Sequence, residues 1–489
     1  MRHAAAFTCA LFALLMISAG CAVGPRYARP SATTPPQFKE IPENWKNAQP
    51  SDAVLRGKWW EVYQDPQLNQ LEEKINLSNQ TLKAAQSQFM QARALVRQSR
   101  ADYYPTVSGG ATVSRNLQSS NRALSSLTTT TNYTDIALPL DVSYEPDLWG
   151  RVRKSVEAAR ANAQASAADL ESVSLSLHSE LALDYFALRT LDADAQLLES
   201  NVAAFEKALE LTQNRYKGGV ASQVDVAFAK TQLETTRAQA IDVQQQRAAF
   251  EHAIATLVGE PTSTFSLARL PLDIAPPIIP VGVPSQLLER RPDIASAERR
   301  IAVANAQIGV AKSSYFPVLS LTGTGGFESS TIGNLLTGPS GFYSVAASVV
   351  ETAFDGGRRA AVSDQAWAAY HQSVDVYRQS LLTAFQEVED NLAALRILEQ
   401  ESHTQDEAVA AAQQSLQLAN NRYKGGVATY LEVITSESLA LSNQRTAVDI
   451  AGRRMSASVL LIKALGGGWD ASSLQNIDYS ERPDHITGQ

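Results

Sequence analysis

The side chains best suited to catalysis or metal binding are scattered along this chain. Five histidines stand alone, four of them on helical runs and one in the C-terminal tail, without the spacing of metal ligands: His178, His252, His371, His403 and His485. The chain contains neither a His-Glu-x-x-His motif nor a nucleophile elbow. Its glycine-rich stretch, Gly323 to Gly326, falls in a predicted strand and not in a phosphate-binding loop. The sequence therefore predicts no catalytic residue, no metal site and no cofactor.

Cys21 is the residue whose surroundings predict a chemical modification. A short basic start precedes an apolar run over residues 4–17, which is typical of a signal peptide and too short to span a bilayer stably. Residues 18–21, Ser-Ala-Gly-Cys, resemble the lipobox of bacterial lipoproteins, and Ala22 resembles the next residue of lipoproteins sent to the outer membrane. We expect a palmitate-type anchor on Cys21, in which each buried methylene contributes about 0.8 kcal/mol. The alternative is an unmodified cysteine in a signal sequence.

The composition excludes two classes of protein. Mean hydropathy is −0.17 over 489 residues, which excludes a polytopic helical membrane protein. The 42 basic residues are outnumbered by 50 acidic ones and form no cluster, so nucleic acid is not an expected partner. Cys9 and Cys21 are the two cysteines, and they cannot build a disulfide framework.

An internal repeat organises the rest of the chain. The heptapeptide Asn-Arg-Tyr-Lys-Gly-Gly-Val occurs at 214–220 and again at 421–427, an offset of 421 − 214 = 207 residues. Upstream of each copy, 67 residues (151–217 and 358–424) contain neither glycine nor proline. A helix of that length extends roughly 100 Å. The spacing of apolar residues in the first run lies between the coiled-coil and straight-helix periods, so each long helix needs neighbours along its whole length.

Shorter helices flank the two long ones. The glycines of Lys-Gly-Gly-Val end each long helix. Antiparallel helical runs follow, predicted over 223–258 and 430–465. A third helical stretch precedes an aromatic-Pro sequence in each copy, over about 68–102 and 285–314, where the proline disfavours helix at the residue before it.

Two segments in each copy alternate between apolar and polar residues, which predicts four strands: 105–118, 133–145, 319–328 and 343–350. Tilted strands of about ten residues are long enough to cross a bilayer. Taken alone, the alternation fits equally well a hairpin of a soluble protein with one solvent-exposed face. Aromatic residues at the helix-side ends of the strands favour the membrane interpretation, because they would form an interfacial girdle: Tyr103, Tyr104, Trp149, Tyr315, Phe316 and Phe354.

Four spanning strands are too few to close a barrel, for which about eight is the smallest workable number, and open edges are not tolerated in lipid. The chain must therefore oligomerise. The expected fold is mainly α with a β-barrel portion, built from a duplicated unit whose helices form a long α-helical barrel of coiled coils.

We divide the chain into a signal peptide, an N-terminal strap, two structural repeats, a linker and a tail. Each repeat contains a helix, a β-hairpin (105–147 or 317–354), a long helix, a tip (217–220 or 424–427) and a returning helix. The predicted boundaries are 1–20 for the signal peptide, 21–66 for the lipidated extended strap, 67–259 and 285–466 for the repeats, 260–284 for a Pro-rich equatorial linker and 467–489 for the tail.

Several sequence stretches together resemble outer-membrane efflux proteins of the TolC/OprM type, in particular the NodT-type lipoprotein branch, over essentially the whole mature chain. They are Cys-Ala-Val-Gly-Pro at 21–25, Trp-Trp-Glu at 59–61, Leu-Leu-Glu-Arg-Arg-Pro-Asp-Ile at 287–294, both heptapeptides, and Ala-Leu-Gly-Gly-Gly-Trp at 464–469. The resemblance implies a homotrimer with a twelve-stranded β-barrel in the outer membrane of a Gram-negative bacterium and an α-helical barrel through the periplasm. It also implies two partners, a periplasmic adaptor protein and an inner-membrane transporter of the resistance-nodulation-division type.

The implied function is that of an exit duct, which passively conducts drugs or other small molecules out of a tripartite efflux pump. Two alternatives stay open, namely a duct for type I secretion or cation efflux, and a non-conducting coiled-coil lipoprotein scaffold. By resemblance, the hairpin tips meet the adaptor through two sets of matching residues: Arg215, Tyr216, Gly218 and Gly219, and Arg422, Tyr423, Gly425 and Gly426.

The same resemblance places the closed aperture just after the second tip, at sites that match Leu431, Thr435 and Ser438. The charged pair of OprM-like relatives is absent there, and the nearest acids are Asp225, Glu432 and Glu437. Our hypothesis is an apolar constriction at Leu431 with cation selectivity from Asp225 and Glu432. Alternatively, these two acids are solvated residues in the first turn of a helix, where the helix dipole favours negative charge.

Overall fold

The computed structural model describes residues 22–31, 33–40, 57–117, 132–279 and 287–479. Cys21, the predicted signal peptide, loop residues 118–131 and tail residues 480–489 lie outside the described residues. The helices, in chain order, are α1 (Pro66–Ser78), α2 (Gln80–Ala101), α3 (Arg151–Lys217), α4 (Gln223–Leu257), α5 (Leu287–Arg290), α6 (Pro292–Ser313), α7 (Arg358–Lys424) and α8 (Tyr430–Ala464). Among the described residues, no helix combines the length and the apolar character that a membrane-spanning helix needs.

The duplication is visible in the helix bounds. The two long helices α3 and α7 each begin after a glycine in the left-handed region, Gly150 or Gly357, and each ends at the lysine of the heptapeptide, as predicted. α4 returns along α3, and α8 returns along α7. α3 also packs against α8, so this contact joins the two copies.

The third helical stretch is broken in both copies, where the sequence predicts one continuous helix. In the first copy Asn79 is extended (ψ 123°) between α1 and α2, and its side-chain oxygen accepts a hydrogen bond from the Leu82 N–H at 2.9 Å. In the second copy the break falls at the equivalent residue, Arg291 (79 + 212 = 291), which is extended (ψ 121°) because Pro292 follows it. Capping chemistry in one copy and a proline in the other therefore produce the same bend.

The strands are β1 (Thr106–Gly109), β2 (Thr112–Leu117), β3 (Asn132–Tyr144), β4 (Val318–Ser329) and β5 (Gly341–Val350). They form one antiparallel sheet in the order β1-β3-β4-β5, in which β2 also pairs with β3. β1 and β2 together correspond to the single strand predicted over 105–118. Both pair with β3 in the same register on either side of the break, since Gly109 pairs with Leu140 and Thr112 with Ala137. The interruption lies opposite Pro139, which has no N–H to donate to the ladder.

The register brings the predicted apolar positions of all four predicted strands onto one face. Val107 lies opposite Val142, Val142 opposite Gly323, and Gly323 opposite Val345. The other face is polar, and there the Thr324 hydroxyl donates to the Asp141 carboxylate at 2.7 Å. The sheet therefore has one face suited to lipid and one suited to water.

The N-terminal strap is extended, and it binds the second repeat. The Tyr27 hydroxyl donates to Glu298 on α6, the Asn305 side-chain amide donates to the Pro25 carbonyl at 3.2 Å, and the Lys39 N–H donates to Glu389 on α7 at 2.7 Å. The largest core cluster of the described residues joins the strap, both repeats and the proline-rich linker. It includes Trp59, Leu68, Tyr185 and Tyr377.

Candidate functional site at the hairpin tips

Both hairpin tips have the same backbone turn, as the identical heptapeptides require. Gly219 (φ 74°) and Gly426 (φ 75°) lie in the left-handed region, which favours glycine. The N–H of Val220 donates to the Arg215 carbonyl at 2.8 Å, and the N–H of Val427 donates to the Arg422 carbonyl at 3.0 Å. A side chain at either glycine would meet no neighbouring atom within 4 Å. The glycines are therefore needed for the turn itself and not for close packing.

The two tips differ in their side-chain environments. The Arg215 guanidinium donates to the Tyr423 carbonyl at 3.1 Å and lies 4.4 Å from the centre of the Tyr423 ring. Tyr423 is 6% exposed, whereas the equivalent Tyr216 is 46% exposed. Tyr423 also packs against Tyr430 with ring centres 5.2 Å apart, and Tyr430 is hydrogen-bonded to Thr212. The structure thus joins Arg215 and Tyr423 across the two repeats, while Tyr216 stays on the surface.

Three of the five predicted aperture residues lie together. Leu431, Glu432 and Thr435 line an open groove of about 530 Å³ beside Arg422, and Leu431 is 55% exposed. Arg422 approaches Glu432 with Nε and Oε2 3.7 Å apart, in a pair that solvent reaches. The Thr435 hydroxyl donates to the Leu431 carbonyl at 2.8 Å, so this hydroxyl is bonded to the backbone of its own helix.

The other two, Ser438 and Asp225, are not among the residues that line this groove. The Ser438 hydroxyl donates to the Gln232 side-chain oxygen on α4 at 3.3 Å.

Asp225 is part of a helix cap. It closes a capping box with Ser222, whose hydroxyl accepts from the Asp225 N–H at 3.1 Å while the Asp225 carboxylate accepts from the Ser222 N–H at 2.8 Å. The alternative interpretation of Asp225, an acid that stabilises a first helical turn, therefore has direct geometric support.

Two polar side chains of α8 have environments that the sequence does not predict. Glu437, one of the acids nearest the predicted aperture, is 7% exposed, and burial raises the pKa of its carboxyl to about 7. Its position seven residues after Tyr430, on the same helical face, was the available signal. Arg445 on α8 forms a bidentate pair with Asp194 on α3 at 2.9 and 2.8 Å, and no local sequence pattern links these two residues.

The residues that follow Cys21 pack where the sheet meets the helices. The Val23 N–H donates to the Trp149 carbonyl at 3.1 Å, and a Cβ at Gly150 would lie 2.9 Å from the Ala22 Cα. Trp149 stacks on Phe316 with ring centres 4.8 Å apart, among the aromatic residues expected to form the interfacial girdle.

His178 is not isolated, although the sequence suggests so. Its Nδ1 lies 2.7 Å from Oε2 of the buried Glu72, and its ring stacks on Trp60 at 4.4 Å. Burial lowers the pKa of His178 to about 4 and raises the pKa of Glu72 well above its usual range, so both groups favour their neutral forms. Within the described ranges, no group of three or more His, Cys, Asp or Glu side chains is arranged to hold a metal ion.

The sequence model of a family described as outer membrane efflux protein matches residues 71–260 and 283–467. The pyoverdine export outer membrane protein OpmQ of Pseudomonas aeruginosa is 31% identical over 436 residues, which cover 88% of this chain and 92% of that protein. The cation efflux system protein CusC of Escherichia coli is 29% identical over 459 residues, covering 94% and 98% of the two chains. The solved outer-membrane channel OprN is 29% identical, with a TM-score of 0.84 over 92% of this chain and 100% of that one.

Proposed function

The chain belongs to the outer membrane efflux protein family, and we propose that three copies of it form one lipid-anchored exit duct. Its function is that of an outer-membrane channel in a tripartite efflux pump, as in its relatives. The proposed partners are a periplasmic adaptor, which meets the tips, and an inner-membrane transporter of the resistance-nodulation-division type, which delivers the cargo.

The main support for this proposal is the sheet, which has one apolar face, one polar face and two unpaired edges. In the described part of the chain, β1 with β2 forms one edge of the sheet and β5 forms the other. Tyr343 and Val345 on β5 are 86% and 82% exposed in the single chain. Unpaired backbone groups are costly in lipid, so both edges need a neighbouring copy. Three copies of four spanning strands give twelve, which exceeds the minimum of about eight.

The helices support the same assembly. Apolar side chains remain exposed along α7 when one chain is taken alone: Val362, Val376, Leu382, Ile397 and Leu418. A narrow apolar stripe over this length needs a neighbour, and the adjacent copy of the chain provides one in a trimer.

The proposed adaptor contact is the outer surface of the two tips. Val220 and Val427 are both mostly exposed there, next to the Gly-Gly turns. Exposed apolar side chains at the end of a helical hairpin are suited to become buried against a partner protein. Arg422 and Tyr216 lie beside them, whereas Arg215 and Tyr423 act by holding the two tips together.

At the aperture we propose that Leu431 forms an apolar constriction and that Glu432 favours cations, with Asp225 as a more distant contributor. For cargo, pyoverdine and cations appear in the names of relatives of similar identity. We therefore propose that the transporter, and not this duct, selects among small molecules.

The assembly can be tested through the exposed strand β5. Val345→Asp introduces a charge on the apolar face of the sheet, and Ser344→Asp introduces the same charge on the polar face of the same strand. We expect the wild-type protein and Ser344→Asp to show three times the mass of the lipidated chain in detergent, by light scattering corrected for bound detergent. Val345→Asp should fail to assemble in the membrane. A wild-type protein that is monomeric in both membrane and detergent would overturn the proposal.

A further inference from the structure

Glu437 is a buried acid in the apolar contact that closes the tip region. It lies on α8 four residues after Val433 and four before Leu441, and all three side chains are buried. Its Oε2 has no hydrogen-bond partner within the part of the chain that the structure describes. A buried carboxylate without a partner is costly, so such a group favours its neutral form.

The surroundings of Glu437 contain little that would stabilise a negative charge. Apolar and aromatic residues cluster with Val433 and Leu441: Phe205 and Leu209 on α3, Ala229 and Leu233 on α4, and Ala419 and Tyr423 on α7. On the side of Leu441, polar and charged residues such as Asp194, Gln232 and Arg445 line an adjacent cavity, and Arg445 is paired with Asp194. Tyr430 on α8 interacts electrostatically with Glu437, with Tyr423 and with Asp225.

The charged groups at the tips make contacts with other residues. Arg215 stacks on Tyr423, although its buried Nε has no hydrogen-bond partner in the described residues, and Arg422 pairs with Glu432 on the exposed side of α8. Asp225 lies in the capping box of α4, hydrogen-bonded to Ser222.

We propose that Glu437 is a positioning residue that makes closure of the periplasmic aperture depend on pH. Its neutral carboxyl lets α8 pack against α3, α4 and α7 at the tip. Its carboxylate disfavours that packing, and the strain reaches the aperture through Tyr430 and Leu431 on the same helix. The inference rests on the proposed function, because it concerns the closed state of the duct.

The direction of the effect follows from proton linkage. Burial raises the pKa of Glu437 from 4.5 to about 7 in the packed tip. A packed tip therefore holds a proton that a loosened tip releases between these two values. Closure is most favourable below about pH 4.5 and weakens as the pH rises to about 7. Above that pH the carboxyl is ionised in both states, so the dependence levels off.

The test compares single-channel recordings of the full-length trimer in planar bilayers between pH 5 and pH 8. In the wild-type protein we expect the open probability to rise by roughly tenfold or more between pH 5 and pH 7 and then to level off. Glu437→Gln keeps the shape and cannot ionise, so it should stay at the low value throughout. Glu210→Gln, which removes an exposed acid of α3 at the same level, is the matched control and should retain the wild-type profile.

A second measurement does not depend on a variant folding well. Hydrogen exchange of α8 amides 430–441 in the wild-type protein, corrected for the intrinsic pH dependence of exchange, should show protection that falls between pH 5 and pH 7. Unchanged protection, or a Glu437→Gln channel with the wild-type pH profile, would overturn the proposal. A complete lack of conductance in wild-type and tip-loosened proteins would instead contradict the channel function.

Discussion

The Arg215 guanidinium lies 4.4 Å from the centre of the Tyr423 ring, and this contact joins the end of α3 to the end of α7. The reciprocal residues, Arg422 and Tyr216, make no such contact with each other: Arg422 pairs with Glu432 at 3.7 Å, and Tyr216 is exposed. Identical heptapeptides therefore have different roles in the two repeats. The first supplies the arginine and the second the buried tyrosine of one shared contact.

Arg215→Ala should loosen the closed tips. The substitution removes a cation–π contact and a hydrogen bond to a carbonyl, which together contribute about 1–2 kcal/mol. We expect a several-fold higher open probability in planar bilayers, with the trimer intact. Arg422→Ala, the matched change in the other heptapeptide, should have a clearly smaller effect. Equal effects of the two substitutions would contradict the asymmetry of the tips.

Glu432→Gln should reduce the preference of the channel for cations, because it removes an exposed negative charge beside Leu431. Asp225→Asn should have a smaller effect, since the carboxylate is engaged with Ser222 and an asparagine side-chain oxygen can still accept a hydrogen bond from the Ser222 N–H. The measurement is the reversal potential in a salt gradient across a bilayer. An unchanged reversal potential in the double variant would show that neither acid sets selectivity.

Gly326→Ala should disrupt the sheet. An added Cβ would lie 2.1 Å from the Leu138 carbonyl oxygen, which belongs to the backbone of the neighbouring strand β3 and cannot move aside freely. We expect the amount of trimer recovered from the outer membrane to fall severalfold. Gly325→Ala is the matched control, because its Cβ would lie 3.6 Å or more from its neighbours. Equal recovery of both variants would contradict the β3–β4 register.

Cys21→Ser should abolish lipid attachment. Ala22 and Val23 pack at the junction of sheet and helices, beside Trp149 and Gly150, so an acyl chain on the preceding residue would be close to the membrane surface. Metabolic labelling with palmitate should mark the wild-type protein and Cys9→Ser, but not Cys21→Ser. Incorporation of label into Cys21→Ser would show that the lipid is attached elsewhere, and a wild-type protein without label would show that there is no such anchor.

The sequence predicts the regular elements well because their signals are local. Freedom from glycine and proline over 67 residues, with Gly-Gly at the end, predicts both bounds of α3 and α7 correctly. Alternation predicts which strand residues share a face, because a pleated strand has a period of two. The break at Asn79 was missed because asparagine in a helical pattern does not by itself reveal that it caps the next helix.

The side-chain arrangement of the tips could not be predicted in the same way. Two identical heptapeptides contain no information about which tyrosine is buried, since that depends on which helices pack together in three dimensions. Glu437 likewise looks like a surface acid until α3, α4 and α7 surround it. The Arg445–Asp194 pair joins residues 251 apart in the chain, and only the packing of α8 on α3 brings them together.

The ion conductance of the purified trimer in a planar lipid bilayer distinguishes an exit duct from a non-conducting scaffold. We expect a mostly closed wild-type channel, and conductance steps of uniform size that occur more often for Arg215→Ala. The complete lack of conductance in both proteins, with trimers demonstrably inserted, would contradict the exit-duct function and favour a non-conducting scaffold.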